Sequence, residues 1–107
     1  MGADTAALRG MNAGIQLIVL ESGPALGLQI TLGKAPLLLV AVPHGYVMCG
    51  YLNIDTANKL GDVAGRVSGV STFEALLDAR INAVSDAAKS KGLHEGMTAR
   101  DFLAALA

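Results

Sequence analysis

Residues 14–42 read GIQLIVL, ESGP, ALGLQITL, GKAP and LLLVAV in succession. The first, third and fifth of these segments are rich in Ile, Leu and Val and have the length of β-strands. The two segments between them carry Gly and Pro, which favour turns because Gly tolerates a positive φ and Pro restricts its own φ. The stretch therefore predicts strands over residues 14–20, 25–32 and 37–42, which two hairpins join into an antiparallel meander.

The third predicted strand is aliphatic at every position. Such an uninterrupted run is typical of a strand that is covered on both faces, so we expect both faces of residues 37–42 to be covered. Pro43-His44-Gly45 then interrupts the apolar run. Residues 46–49 predict a fourth strand.

The chain changes character after these strands, because helix-capping residues now precede the apolar segments. Asn53 is a good N-cap, since its side-chain oxygen can accept from the amides of the first turn. It predicts a helix over residues 54–60, which Gly61 terminates. Ser71 and Glu74 have the spacing of a capping box and predict that a second helix begins at Ser71.

The remaining segments of the second half are less regular. Residues 63–70 are consistent with a strand or an extended loop, and residues 80–84 leave strand and helix open. Thr98 predicts the cap of a last helix over residues 99–107. Because strands come first and helices follow, the sequence predicts an α+β fold, with an N-terminal antiparallel β-meander followed by short helices packed on the sheet.

The length of 107 residues predicts one domain. We expect residues 1–12 to form a variable or disordered leader, and residues 13–107 to form a single α+β domain. Hydrophobic residues make up 52% of the chain and charged residues 16%, whereas about 25% is typical for charged residues. Between Gly10 and Ile54 the charged side chains are Glu21 and Lys34. Such an apolar first half predicts a homo-oligomer that assembles through the N-terminal strands.

Composition also argues against several other classes of partner. The net charge of −1 gives no indication of the basic patch that a nucleic-acid-binding protein carries. The longest apolar run, residues 35–43, is far shorter than the roughly 20 residues that span a bilayer, and the first residues do not resemble a signal peptide.

The single cysteine bears on the cell compartment and on metal binding. One cysteine cannot form an internal disulfide, which is what we expect of a protein in the reducing cytoplasm. One cysteine and two distant histidines predict no structural metal site, and no cofactor is predicted.

Several blocks of the sequence carry a resemblance to a known family. They are YVMCGYLN at residues 46–53, LGD at 60–62, GVSTFEALL at 69–77, and Gly92 followed by EGMTAR at 95–100. In this order they resemble the YunC-like family, a small family of unknown function in bacteria and archaea. The resemblance covers nearly the whole chain from Gly14 to Leu106. It implies an α+β domain whose N-terminal β region serves for tetramerisation, and it implies no activity, because the family has none established.

Cys49 and His44 are the candidate catalytic residues. A cysteine becomes a nucleophile when a nearby histidine, cation or helix N-terminus lowers the pKa of its thiol. His44 would approach Cys49 if the chain folded back at Gly45, and amides near Ser71 would stabilise an oxyanion. The alternative is structural, with Cys49 as a small buried hydrophobic residue and His44 as an exposed turn residue.

Four further polar residues, Asn53, Asp62, Ser71 and Thr72, are candidates for ligand binding. Each lies at the end of a predicted element and is adequately explained as a cap or a turn former. Together they could instead form a polar cluster that suits an anion or a carboxylate.

The arginines in the second half of the chain also have two possible roles. Arg66, Arg80 and Arg100 are expected to pair with nearby acids at the surface, and each could alternatively bind an anion.

The sequence therefore predicts a small cytoplasmic homo-oligomer that binds a small ligand or a protein partner. The alternative is a small cysteine-dependent enzyme that uses Cys49 in a site shared between subunits.

Overall fold

The computed structural model describes residues 13–107, so the predicted leader, residues 1–12, lies outside the described residues. These residues form a six-stranded sheet with the strands in sequence order, together with four short helices. The strands are β1 (Ala13–Leu20), β2 (Gly23–Leu32), β3 (Ala35–Val42), β4 (Gly45–Met48), β5 (Ala64–Arg66) and β6 (Ala83–Val84). The helices are α1 (Ile54–Leu60), α2 (Phe73–Asp78), α3 (Asp86–Ser90) and α4 (Ala99–Ala104). The predicted α+β fold is confirmed.

The first four strands form the predicted antiparallel meander. The first turn is shorter than expected, because Gly23 and Pro24 already belong to β2 and only Glu21 and Ser22 form the turn. Pro24 lacks an N–H group but lies near the start of its strand, where proline is tolerated.

The sequence did not predict that β4 and β5 are parallel. Helix α1 connects them, so β4, α1 and β5 form a βαβ unit. Residues 63–70 contain both of the structures that the sequence left open, a three-residue strand followed by a loop. In residues 80–84 the strand alternative holds, since Ala83 and Val84 form β6.

The helix caps agree with the sequence in two of three cases. Asn53 caps α1 by accepting a hydrogen bond from the amide of Asp55 at 2.8 Å, and Thr98 caps α4, which is shorter than predicted. The assignment of Ser71 as a cap is wrong. Thr72 caps α2 by accepting from the amide of Ala75, so the carboxylate of Glu74 lies one position too early for a capping box.

The main core lies between the inner face of the sheet and helices α2 and α4. The strand residues Val40 and Val47 are cross-strand partners and are fully buried there with Leu76 and Phe102 of the helices. Gly27 of β2 lets this layer pack closely, because a Cβ at this position would lie 2.8 Å from the ring of Phe73.

The outer face of the sheet is only partly covered. Helix α1 covers it over β4 and β5, where Met48, Ala57 and Ala64 form a small second core. Four large apolar side chains on the outer face of β1 and β2 are exposed. We call them the outer apolar face, and they are Ile15 (75% exposed), Leu17 (64%), Val19 (80%) and Leu26 (55%).

The prediction that β3 is covered on both faces is wrong for the single chain. Leu38 and Val40, which point inward, are fully buried. Leu39 and Ala41, which point outward, are only half-buried because α1 does not extend across β3. Among residues 13–107, no helix is both long enough and apolar enough to cross a membrane.

A cleft at the carboxyl end of the parallel strands

A cleft of about 350 Å³ opens where the parallel strands β4 and β5 end. Its lining comes from the start of β3 and from the loops that follow β4 and β5, namely Ala35, Pro36, Cys49, Gly50, Tyr51, Gly69, Val70 and Ser71. Loops at the carboxyl ends of parallel strands are common positions for ligands, because no further strand residues block access there. The crossover unit β4–α1–β5 thus brings together two loops that are far apart in the sequence.

Cys49 forms part of the cleft wall and of the main core. Its side chain is only 3% exposed. The thiol sulfur accepts a hydrogen bond from the amide of Leu38 at 3.3 Å, and the amide of Cys49 donates to the carbonyl of Leu38 at 3.1 Å. Cys49 is therefore buried, as the structural alternative proposed. Because it also lines the cleft, the reactivity of its thiol stays a prediction.

Tyr51 connects two of the three segments that line the cleft. Its hydroxyl donates a hydrogen bond to the carbonyl of Ala35 at 3.2 Å, which joins the loop after β4 to the beginning of β3. Ser71, exposed in the loop after β5, contributes the opposite wall. The cleft thus offers a thiol, two hydroxyl groups and backbone groups around a largely apolar floor.

His44 does not lie in this cleft. It precedes β4, whereas Cys49 follows it, and five residue steps along a strand separate the two Cα atoms by about 16 Å. The chain does not fold back at Gly45, which is the first residue of β4. Instead the amide of His44 donates to the carbonyl of Leu106 at 3.3 Å. Within one chain the structure does not bring His44 to Cys49.

Asp62 lies at the same end of β4 as His44. Both residues line a second cavity of about 380 Å³, together with Tyr46. The phenol of Tyr46 donates to a carboxylate oxygen of Asp62 at 2.7 Å. Burial, then the hydrogen bond and the charge of Asp62, raise the pKa of Tyr46 to about 12. Tyr46 therefore stays protonated near neutral pH and serves as a hydrogen-bond donor.

The four predicted ligand residues are thus separated in the structure. Ser71 lines the cleft, and Asp62 lies at the far end of β4. Asn53 and Thr72 use a side-chain oxygen to cap α1 and α2. The structure does not gather the four into one cluster, and a ligand role for each stays a prediction.

A polar network beside the cleft includes residues that the sequence analysis did not connect. The Nε–H of Arg66 donates to Oδ1 of Asn82 at 3.1 Å, and Nδ2 of Asn82 donates to the hydroxyl of Ser68 at 2.8 Å. Ser68 neighbours the cleft residue Gly50, since a Cβ built on that glycine would lie 3.7 Å from the serine oxygen. No sequence signal joins these residues, because β5 and β6 bring together positions 16 apart.

The surface pairing expected for the arginines occurs once among residues 13–107. Arg100 contacts Asp78 at 2.9 Å, whereas Arg80 donates to the carbonyl of Gly96. In the same part of the chain, no three His, Cys, Asp or Glu side chains are grouped so as to hold a metal ion.

A family described as a domain of unknown function (DUF1805) matches residues 48–106, which is more than half of the chain. The chain belongs to the DUF1805 family. The uncharacterized protein YunC of Bacillus subtilis (strain 168) is 39% identical over 90 residues, which cover 80% of this chain and 89% of YunC. The resemblance to the YunC-like family is thereby confirmed.

A solved structure extends this similarity to the fold. The crystal structure of a protein of unknown function, TA1206 from Thermoplasma acidophilum, matches with a TM-score of 0.87 and 36% sequence identity. The match covers 92% of this chain and 97% of that one. The DUF1805 match begins at Met48, so it includes the loops that follow β4 and β5, whereas the outer apolar face precedes it.

Proposed function

We propose that this DUF1805 protein is a cytoplasmic homo-oligomer that binds a small ligand in the cleft beside Cys49. The subunits join through the N-terminal strands, in the tetramer that the family resemblance implies. The observation that carries the assembly proposal is the outer apolar face, four large aliphatic side chains that are 55–80% exposed on one side of β1 and β2.

A second copy of the chain is the occupant that this face fits best. The face has no charged residue at its centre, because Glu21 and Lys34 lie in the turns at the two ends of β2. An obligate interface between identical subunits has the same apolar character. Among residues 13–107, strand β1 is also the edge of the sheet, and an apolar edge strand left open invites pairing with another chain.

The cleft supports the ligand-binding part of the proposal. Its volume of about 350 Å³ falls within the range of about 300–1,000 Å³ that is usual for small-molecule sites. Such sites combine an apolar lining with a few polar groups that orient the ligand. Val70 and Pro36 supply apolar lining here, and Tyr51 and Ser71 supply hydroxyl groups.

Light scattering after size exclusion tests the assembly part of the proposal. The full chain, whose monomer mass is 10.9 kDa, is expected to elute at a multiple of this mass at micromolar concentration. A stable monomer under these conditions would remove the proposed interface. The ligand part is tested separately by following the amide signals of Tyr51 and Ser71 during a screen of small metabolites.

The alternative function is a small cysteine-dependent enzyme. The observation that favours it is that Cys49, the single cysteine, and Ser71 line the same cleft. Because His44 lies at the other end of β4, a base would have to come from another subunit. This alternative requires a thiol that reacts in the native protein, which the burial of Cys49 disfavours.

A further inference from the structure

We propose that Arg66, held in position by Asn82 and Ser68, forms a binding site for a carboxylate or phosphate group on the α1 side of the sheet. The site lies next to the cleft beside Cys49, but none of its three residues lines that cleft. The inference therefore stands on its own contacts and does not depend on the function proposed above.

The side chain of Arg66 is oriented by its neighbour Asn82. Its Nε–H donates to Oδ1 of Asn82 at 3.1 Å, which orients the guanidinium group. The two terminal nitrogens of Arg66 donate no hydrogen bond within residues 13–107. A fixed guanidinium with two free nitrogens matches the two oxygens of a carboxylate or phosphate.

The hydrogen bonds of Asn82 favour a negatively charged ligand. Asn82 uses its amide oxygen for Arg66 and its amide nitrogen for Ser68. Because the hydroxyl oxygen of Ser68 accepts this second bond, its own hydrogen remains available to donate. The two hydrogen bonds thus occupy an acceptor of Asn82 and of Ser68, while the terminal N–H groups of the positively charged Arg66 stay available within residues 13–107, which suits an anion.

A backbone hydrogen bond holds Arg66 beside Asn82. Arg66 ends β5, and its carbonyl accepts a hydrogen bond from the amide of Asn82 at 2.9 Å, next to the pairing of β5 with β6. Ala64, two residues earlier on the same face, is buried beneath α1. Two of the three residues are thus held by the backbone, which limits the ordering that ligand binding requires.

Arg66 also differs from the other arginines among residues 13–107. Arg100 is neutralised by the carboxylate of Asp78, whereas no carboxylate of these residues lies within 4.0 Å of a nitrogen of Arg66. Arg80 likewise has no acidic partner there, but it donates to a backbone carbonyl and makes no side-chain hydrogen bond like that of Arg66 to Asn82. Arg80 is therefore a matched control of equal charge.

A titration followed by NMR tests the site. The full chain labelled with ¹⁵N is titrated in separate arms with inorganic phosphate and with acetate, at an ionic strength held constant with sodium chloride. We expect saturable shifts of the Arg66 Nε–H and Asn82 side-chain signals in at least one arm. The anion that binds more tightly identifies which of the two groups the site prefers.

Three variants separate a built site from simple charge attraction. Arg66→Gln is expected to weaken binding about ten-fold or more, since it removes a charged hydrogen-bonding pair, whereas Arg80→Gln should leave the affinity unchanged. Asn82→Ala keeps the charge and loses the orientation, so it should also weaken binding several-fold. The amide spectrum of each variant verifies its fold.

Two results would overturn the proposal. One is a set of non-saturating shifts, equal at Arg66 and Arg80, in both arms. The other is saturable binding that survives both Arg66→Gln and Asn82→Ala in folded protein.

Discussion

The phenol of Tyr46 and the carboxylate of Asp62 form a 2.7 Å hydrogen bond that joins β4 to the segment following α1. The same segment is held from its other side, because the hydroxyl of Ser85 donates to the carbonyl of Asp62 and accepts from the amide of Ala64. These contacts fix how α1 returns to the sheet. They thereby set the position of β5, whose following loop forms one wall of the cleft.

Replacing Tyr46 with Phe is expected to destabilise the fold by about 1 kcal/mol, because Asp62 then loses a half-buried hydrogen-bond donor. Denaturant unfolding measures the change. Tyr51→Phe is the matched control, since the hydrogen bond of Tyr51 to Ala35 is exposed, and its effect should stay within about 0.5 kcal/mol. Equal effects of the two variants would contradict a structural role for the Tyr46–Asp62 pair.

The same pair predicts a loss of stability at alkaline pH. The folded protein raises the pKa of Tyr46 from its ordinary value of 10.0 to about 12. A group whose pKa is higher in the folded state stabilises the fold fully below its unfolded pKa, and this stabilisation disappears as the pH rises through its folded pKa. We therefore expect the free energy of unfolding to fall between about pH 10 and pH 12 more steeply in the wild type than in Tyr46→Phe. Parallel pH profiles of the two proteins would contradict the raised pKa.

A methyl group at Gly27 is expected to destabilise the protein by about 1–3 kcal/mol, as is usual for overpacking in a filled core. In Gly27→Ala the new Cβ would lie 2.7 Å from Cδ1 of Ile18 and 2.8 Å from the ring of Phe73. Gly14→Ala, on β1, is the control, because a Cβ there meets nothing within 4 Å. Thermal unfolding compares the two, and a Gly27→Ala variant as stable as Gly14→Ala would show that Phe73 does not pack as described.

Cys49 is expected to resist alkylation in the native protein. Its sulfur is buried and accepts from the amide of Leu38, so iodoacetamide reaches it only after local opening. An opening cost of about 3 kcal/mol would slow labelling by about 100-fold relative to unfolded chain. Intact mass measured over time, with and without denaturant, gives the two rates. Rapid labelling of the native protein would contradict this description and favour the cysteine-dependent enzyme.

The parts of the fold that follow from neighbouring residues could be predicted from the sequence. Gly and Pro between aliphatic runs specified the hairpins, and Asn53 and Gly61 marked the ends of α1. For strand β5 the sequence left strand and extended loop open, because Ala64-Gly65-Arg66 has no apolar alternation and becomes a strand by pairing with β4.

The candidate site shows the same limit. Cys49 and Ser71 could each be selected by residue type and position, but their meeting in one cleft depends on the parallel pairing of β4 and β5. His44 and Asp62 lie away from the cleft because the extended strand β4 keeps its two ends apart. The contact of Arg66 with Asn82 arises from the pairing of β5 with β6 and has no local signal.

The proposal that subunits join through the outer apolar face is tested most directly by placing a charge at the centre of this face. In Leu17→Lys a lysine replaces an exposed side chain on β1, and in the control Leu60→Lys it replaces an equally exposed leucine on α1, away from β1 and β2. Light scattering after size exclusion is expected to give the mass of the wild-type assembly for Leu60→Lys and the monomer mass of 10.9 kDa for folded Leu17→Lys. An unchanged assembly mass for Leu17→Lys would contradict the proposal that identical subunits join through this face.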